Sequence, residues 1–450
     1  MTRTPADPAP DPDAAPAIPA APDQQRKSDR TRADILATAA RLFRDRGVAA
    51  TTMRAIAEAA GLEAGSIYYH FASKEQILDE ALDLGVRQLH ARVSRIVAED
   101  RAAGAPFRDT FGRLVHAHLD ILLSRSDFTS ANIRNWPMLT EARREVHRPL
   151  RRAYAALWGD FLHEARRAGS LRSDVAVDPL RQFILGAMNW TAEWYDVERF
   201  TVQPLADGMT RLLLEGMCVQ TGPAPPPVPA PGLPAPPPDA HPGKADQTRQ
   251  QILRAAARLL REGGYKATTM RRIAAEAGLE AGSVYYHFTS KDRIIDEVLD
   301  KGLRDLRCGV TGALARLGEG ADHRARIATA ICAHMDCLFR AGEFTSANIR
   351  SYGMLPREFR QRHGAIRHDY ARLWDGMLRE ARAAGVLRAD IRVTPLRQVV
   401  LGALNWTVEW FDPNRPDGAG QHSLPAFSGM LAALLLDGIL ARPEPQTSRK

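Results

Sequence analysis

Apolar residues recur along the chain with the period of an α-helix. The first stripe consists of Ile35, Leu36, Ala39, Leu42 and Phe43, and it predicts a helix that ends near Gly47. A second, longer stripe consists of Ile77, Leu78, Ala81, Leu82, Leu89, Val93 and Ile96. No stretch shows a sustained strand alternation bounded by turn signals. The pattern therefore predicts an all-α fold.

The same sequence occurs twice. Aligning Thr31 with Thr248 gives 34 identities over 52 positions. FTSANIR at 128–134 recurs unchanged at 344–350, and residues 181–196 match 397–412 at 11 of 16 positions. The repeat spans about 200 residues, which excludes a solenoid built from short repeats. We expect two copies of a whole helical protein, each with nine or ten helices.

Two low-complexity stretches delimit these copies, called unit one and unit two below. Residues 1–25 contain seven prolines and no aromatic residue, so we expect a disordered N-terminal tail. Residues 222–244 are rich in proline and alanine and predict a semi-rigid linker.

Composition and charge narrow the class of protein. Among 450 residues, Lys and Arg number 61 and Asp and Glu 53, a net charge of +8 that permits a nucleic-acid partner. Cys218, Cys308, Cys332 and Cys337 form no Cys-x-x-Cys pair, which argues against a disulfide framework and a zinc site. No secretion signal or membrane span is evident. We expect a protein of the reducing cytoplasm.

Between the two helices of unit one lies TTMRAIAEAAGLEAGSIYYHFASK, residues 51–74, matched by residues 268–291. Thr51 or Thr52 can cap a short helix, Gly61 permits a left-handed turn, and a second short helix is expected from about Glu63. This is a helix-turn-helix layout whose second helix begins with small residues, so its backbone can approach base edges. A helical hairpin packed in a core is the alternative, but it leaves the polar groups near Tyr69 unexplained.

Both segments resemble the DNA-binding domain of the tetracycline-repressor (TetR) family, whose hallmark is T-x-x-x-I-A-x-x-A-G-[LV]-x-x-x-x-[LIV]-Y-x-[HY]-F-x-x-K. The match covers roughly 50 residues in each unit. The resemblance implies a homodimeric, ligand-responsive repressor with a three-helix DNA-binding head and a larger C-terminal domain for effector binding and dimerisation. Here two such subunits are fused in one chain.

The resemblance also implies roles for individual residues. The positions that face the major groove are Ala64, Gly65, Ser66 and Tyr69, with Ala281, Gly282, Ser283 and Tyr286. The residues that can reach either a guanine edge or a phosphate are Arg54 and Arg271. The residues that resemble the phosphate clamp are Thr52, Tyr68, His70 and Lys74, with Thr269, Tyr285, His287 and Lys291. Tyr68 and Tyr285 could equally well be packing residues.

The predicted domains follow from these matches. They are DNA-binding heads at 26–74 and 245–291, helical ligand-binding and dimerisation bodies at 75–221 and 292–441, and a tail at 442–450. The C-terminal helices of the bodies are expected at about 178–198, 204–220, 394–411 and 424–441.

Two constellations in the bodies are candidates for ligand binding. The retained FTSANIR segment supplies an apolar wall and donors for an anionic or carbonyl group, namely Phe128, Asn132 and Arg134 with Phe344, Asn348 and Arg350. Asn189 and Glu193, with Asn405 and Glu409, lie four residues apart beside the tryptophans at 190, 194, 406 and 410. These tryptophans could line a cavity or pack in the dimerisation bundle, and we favour packing. The overall pattern resembles TetR-type regulators of fatty-acid and steroid catabolism that respond to acyl-CoA thioesters.

Other chemistry has little support in the sequence. Only His118 of the His116-x-His118 pair has a counterpart, His334, so a shared metal site is not expected. No Gly-rich phosphate loop, nucleophile elbow or close acid pair is present, and we expect no catalytic residues, no metal and no cofactor. The leading hypothesis is a repressor that binds double-stranded DNA at an inverted repeat and is released by a small apolar effector. An architectural, effector-blind DNA-binding protein is the alternative, and an enzyme is a distant third.

The assembly is predicted from the length of the linker. Its 23 residues can span roughly 70 Å in polyproline geometry. The distance that they must cover, from the end of the first body to the start of the second head, is roughly 50 Å. The two units can therefore pair within one chain as a pseudo-dimer. A domain-exchanged homodimer with four heads uses the same surfaces and is the alternative.

Overall fold

The computed structural model describes residues 22–217, 243–318, 320–340, 343–351, 355–413 and 423–439. Within these ranges the chain is helical and contains no β-strand, as the apolar periodicity predicts. The helices of unit one are α1 (Pro22–Arg46), α2 (Met53–Ala59), α3 (Lys74–Ala103), α4 (Phe107–Asp120), α5 (Asp127–Asn135), α6 (Glu141–Arg167), α7 (Val177–Asn189), α8 (Thr191–Trp194) and α9 (Val202–Met217).

Unit two repeats the long helices of unit one but differs in the short ones: it gains α-helices at 281–287 and 357–362 and has a 3-10 turn at Thr407–Glu409 in place of α8. Its helices are α10 (Lys244–Ala267), α11 (Met270–Glu276), α12 (Ala281–His287), α13 (Lys291–Arg316), α14 (His323–Phe339), α15 (Glu343–Ser351), α16 (Arg357–Arg362), α17 (Gly364–Ala383), α18 (Val393–Trp406) and α19 (Leu424–Ile439).

The ends of the units differ slightly from the predicted boundaries. Helix α1 begins at Pro22, inside the segment expected to be disordered, because proline is preorganised for the first turn of a helix. The rest of that tail, at 1–21, lies outside the described residues. So do nearly all of the predicted linker and the C-terminal tail at 442–450.

Each head has its own small hydrophobic core between packed helices. In unit one, α1 ends where Gly47 adopts a φ of 73°, a left-handed conformation that glycine tolerates best. The stripe headed by Ile35 and Phe43 is fully buried against Ile56 and Ile77 of the two following helices. Apolar periodicity therefore gave the correct face of α1.

The expected helix at 178–198 is interrupted. Helix α7 ends at Asn189, and α8 begins at Thr191 after a tight turn. The Thr191 hydroxyl donates to the Met188 carbonyl oxygen at 2.6 Å, a local bond that competes with continuation of the helix. Thr407 makes the same bond to Leu404 in unit two. Because of this turn, the asparagine and the glutamate of each candidate pair do not share one helical face.

The two bodies pack against each other through α7 with α18 and α9 with α19. Glycine provides the room for this contact: a Cβ at Gly186 would lie 2.5 Å from the Trp406 ring, and one at Gly402 would lie 2.5 Å from the Trp190 ring. The same tryptophan-on-glycine contact is thus made in both directions. Buried residues of both units, including Leu213 of α9 and Leu435 of α19, form one continuous hydrophobic core.

Ion pairs border this contact. Asp437 of unit two, whose side chain is only 6% exposed, accepts from Arg172 of unit one at 2.9 Å. Arg324 of unit two contacts the same carboxylate at 3.3 Å, and Arg211 pairs with Asp390 at 3.2 Å. The heads also touch, because Lys266 Nζ donates to the Ala49 carbonyl oxygen at 2.9 Å.

Candidate functional site

Each head exposes one tyrosine almost completely. Tyr69 is 95% exposed and Tyr286 is 86% exposed, whereas the preceding apolar residues, Ile67 and Val284, are fully buried. The buried residue anchors the segment to the core of the head, and the exposed tyrosine lies on the outer face of the segment, which is accessible to solvent. The other residues expected to face the groove, Ala64, Gly65 and Ser66 with Ala281, Gly282 and Ser283, are also exposed. Each head therefore presents small side chains and one almost fully exposed phenol to solvent.

The two segments that contain the residues expected to face the major groove, 64–69 and 281–286, differ in conformation. In unit two the segment is an α-helix from Ala281 to His287, as expected. In unit one, Ala64 and Gly65 form a turn and the regular part is a 3-10 helix from Ser66 to Tyr69. The sequence does not account for this difference, since residues 62–66 are identical to 279–283.

The expected phosphate clamp is partly engaged in holding the head together. Thr52 and Thr269 cap α2 and α11 by accepting from backbone N–H groups. Lys74 Nζ donates to the Val48 carbonyl oxygen at 3.0 Å, and Lys291 Nζ donates to the Tyr265 carbonyl oxygen at 3.2 Å. Burial lowers the pKa of Lys291. The remaining candidates have free outer surfaces: Tyr68 and Tyr285 are 58% and 56% exposed, Arg54 and Arg271 are exposed, and His70 and His287 are half-buried.

We expect Tyr69→Ala or Tyr286→Ala to weaken specific DNA binding by about 1–3 kcal/mol, because the exposed ring is free to contact a base edge. Folding should be unaffected, since the side chain is almost fully exposed. Fluorescence anisotropy with a selected site and with unrelated DNA measures this loss of specificity.

Lys74→Ala and Lys291→Ala are the matched controls for these substitutions. They should weaken binding to all sequences and make the slope of log K against log salt shallower by about one. If the tyrosine and lysine variants had the same specificity and the same salt slope, the division into base-reading and phosphate-holding residues would be wrong.

A cavity of about 340 Å³ lies in the body of unit one. Its apolar wall is formed by Val86, Leu89, Ile133, Trp136 and Leu185. Unit two closes the cavity with Trp406, Glu409 and Trp410. The cavity is therefore complete only when the two units pack together.

The polar part of the cavity lining is strongly basic. Four arginines line it: Arg148, Arg151, Arg152 and Arg181. Arg151 lies 4.0 Å from the centre of the Trp136 ring and donates to the amide oxygen of Asn132. Burial lowers the pKa of Arg151 to about 10, so it remains a cation at neutral pH. Among the described residues, no carboxylate is within ion-pairing distance of Arg151.

A neutral histidine lies beside these cations. His118 Nδ1 is 2.8 Å from the Tyr154 hydroxyl, and Nε2 is 3.1 Å from Asn189 Oδ1. The neutral tautomer satisfies both contacts when Nε2–H donates to Asn189 and Nδ1 accepts from Tyr154. Burial lowers the pKa of His118 to about 4, against a raising effect of Asn189. His334 has equivalent partners in unit two, and its pKa is also lowered to about 4.

Helix α5, which carries the whole FTSANIR segment, joins the cavity to the head. Asn132 Nδ2 donates to the Leu82 carbonyl oxygen at 2.9 Å, and Arg134 donates to the Arg44 carbonyl oxygen at the end of α1 at 3.0 Å. Asn135, which the sequence did not single out, donates to Phe43 of the same head helix at 3.0 Å.

The structure brings together only some of the residues expected to bind ligand. Asn132, Asn189 and Glu409 line the cavity. Phe128 and Phe344 pack against the cores of the two heads. The others hold the structure together: Arg134 pairs with Glu193 at 3.3 Å, Arg350 with Glu409 at 2.8 Å, Asn405 with His334 at 3.1 Å, and Asn348 with the Leu299 carbonyl oxygen at 3.1 Å. Sequence reasoning missed the four arginines of the cavity, although the RPLRR run at 148–152 was an available signal for three of them.

In the described part of the chain, no helix is long and apolar enough to cross a membrane. Among the same residues, no cluster of three or more His, Cys, Asp or Glu side chains could hold a metal ion.

Curated relatives each match a single unit. The HTH-type transcriptional repressor KstR2 of Rhodococcus jostii is 32% identical over 201 residues, which cover 44% of this chain and 96% of the relative. KstR2 of Mycolicibacterium smegmatis is 31% identical over 182 residues, covering 39% and 84%. The fatty acid metabolism regulator protein of Bacillus subtilis is 26% identical over 191 residues, covering 42% and 94%. Among solved structures, the ketosteroid transcriptional regulator KstR2 of Mycobacterium tuberculosis is 27% identical and covers 42% of this chain and 95% of its own, with a TM-score of 0.39.

Two family profiles match in tandem. The profile for bacterial regulatory proteins of the tetR family matches residues 35–81 and 252–298. The profile for the tetracyclin repressor-like C-terminal domain matches residues 104–217 and 320–439. The chain is therefore a transcriptional regulator, not an enzyme, and it belongs to the TetR family as two complete units in tandem.

Proposed function

We propose that this chain is a cytoplasmic repressor in which one polypeptide does the work of a TetR dimer on an inverted-repeat operator. The observation that carries the proposal is the reciprocal contact of Trp190 with Gly402 and of Trp406 with Gly186. A contact made identically in both directions is the mark of a twofold interface. Here both halves of that interface belong to one chain.

Pairing within the chain satisfies the surfaces that a separate unit would expose. The apolar faces of α9 and α19 cover each other, and Asp437 is buried against Arg172 of the other unit. A linker of matching reach holds the second unit at an effective concentration on the order of millimolar. An internal pair is then favoured over an external one at dilute concentration.

We propose that the effector is an apolar anion, such as a fatty acid or an acyl-CoA thioester, bound in the cavity of unit one. The apolar lining residues suit an acyl chain, and the arginines that also line the cavity suit a carboxylate or phosphate. The similarity to a regulator of fatty acid metabolism supports this class of ligand.

Helix α5 would couple ligand binding in the cavity to the release of DNA by the head. Arg151 binds the amide oxygen of Asn132, and the same helix reaches the end of α1 through Arg134 and Asn135. An anion that draws Arg151 toward itself competes with Asn132 for the guanidinium. A change in the position of α5 then moves the head relative to the body.

DNA selection with the purified protein tests the proposal. Because residues 62–66 and 279–283 are identical, we expect a near-palindromic site, with half-sites centred about 34–36 Å apart or a multiple of that distance. The double variant Tyr69→Ala and Tyr286→Ala is the control and should enrich no common site. Selected sites without dyad symmetry would contradict the proposal.

A further inference from the structure

The two bodies differ at the residues that make the cavity of unit one basic. Gly364 of unit two stands where unit one has Arg148, and His368 stands where unit one has Arg152. The neighbouring residues are unchanged, since Arg367 matches Arg151 and Tyr370 matches Tyr154. Unit two has therefore lost two of the four guanidinium groups while keeping the surrounding framework.

A third difference changes the charge beside the remaining arginine. Gly159 of unit one lies against Arg181, whose Nη1 would be 3.1 Å from a Cβ at position 159. Unit two has Asp375 at the equivalent position, 3.4 Å from Arg397, the counterpart of Arg181. Both members of that ion pair are buried, at 9% and 8% exposure. Unit two thus pairs this arginine with a buried carboxylate, whereas unit one pairs its counterpart with an exposed one.

The ion-pair partners that unit one supplies to its cavity arginines are exposed acids. The partner of Arg181 is Asp178, whose side chain is 73% exposed and therefore well screened by water. Arg152 is exposed and has no hydrogen-bond or ion-pair partner among the described residues. Arg151 is a half-buried cation that donates to an amide oxygen and lies over an aromatic ring. Glu409 of unit two acts on it electrostatically, but among the described residues no carboxylate makes a direct ion pair with it. An anionic ligand can therefore supply the direct ion pair that this partly desolvated cation lacks.

We infer that the two units have specialised, so that the chain binds one apolar anion in the cavity of unit one and none at the equivalent place in unit two. Unit two contributes to this single site as its wall, through Trp406, Trp410 and Glu409. This inference rests on the proposed effector response and assigns it a stoichiometry and a location. An ordinary homodimer, whose subunits are identical, cannot divide the roles in this way.

Native mass spectrometry and calorimetry with dodecanoyl-CoA test the inference on the full chain. We expect one molecule bound per chain. Gly159→Asp, which copies unit two into unit one, should weaken binding at least about tenfold by placing a negative charge at the anion site. The matched variant Asp375→Gly should leave the affinity within about twofold.

A second pair of variants avoids any change in the buried core. Arg152→Ala should weaken binding about threefold to tenfold, whereas His368→Ala, at the equivalent exposed position of unit two, should have no effect. Operator affinity and the thermal midpoint, measured on the same samples, establish that each variant is folded.

Two ligands per chain, or equal losses from the unit-one and unit-two variants, would overturn the inference. Absence of dodecanoyl-CoA binding while the operator is still bound would overturn it as well, without touching the DNA-binding role. Failure of the unmodified chain to bind any operator would instead refute the proposed function itself.

Discussion

Acidification from pH 7 to pH 4 is expected to remove about 3 kcal/mol of folding free energy through each of His118 and His334. The unfolded chain binds a proton at each histidine with the ordinary pKa of 6.5, whereas burial lowers the pKa of both to about 4 in the folded protein. The unfolded state therefore takes up protons first as the pH falls. The contribution of these two histidines to the free energy of unfolding has its full value above pH 6.5 and is lost as the pH approaches 4.

Urea denaturation at a series of pH values measures this effect. The double variant His118→Gln and His334→Gln is the control, because glutamine can hydrogen bond but does not titrate. The difference in unfolding free energy between the two proteins should shrink by about 6 kcal/mol over this pH interval. Parallel curves would show that the buried imidazoles are not the source of the acid sensitivity.

Replacement of Trp406 by alanine is expected to cost about 3–5 kcal/mol, the usual price for truncating a buried tryptophan. Trp406 is 9% exposed, packs on Gly186 of the other unit and forms part of the wall of the unit-one cavity. Its removal would open the contact between the bodies and the cavity together. Calorimetry, with operator affinity measured in parallel, reports both consequences.

Trp194→Ala is the control for this substitution. Trp194 packs edge-on against Phe200 of its own unit and is only half-buried. Its loss should cost less and should leave the contact between the units intact. A cost below about 1 kcal/mol for Trp406→Ala would mean that the interface carries little of the stability.

Much of the fold could be predicted from the sequence because helical periodicity and capping are local properties. The stripe beginning at Ile35, the cap at Thr52 and the left-handed turn at Gly61 all follow from neighbouring residues. The break after Asn189 was not predicted, because it depends on which way the Thr191 hydroxyl points.

The cavity could be predicted only in part, because its residues are brought together by tertiary packing. Asn132 and Asn189 were recognised through their recurrence in both units, although recurrence does not distinguish ligand contacts from structural bonds. Arg148 and Arg152 were missed because they do not recur. The wall formed by Trp406 follows from contact between units that are far apart in the sequence.

The mass of the particle that binds DNA tests the central claim most directly. Light scattering at low micromolar concentration should give 49.6 kDa for the free protein, and the complex with a single operator duplex should contain one chain. This is the result expected if the two units pair within one polypeptide. A free mass near 99 kDa, twice the 49.6 kDa of one chain, or two chains on one operator, would contradict the account.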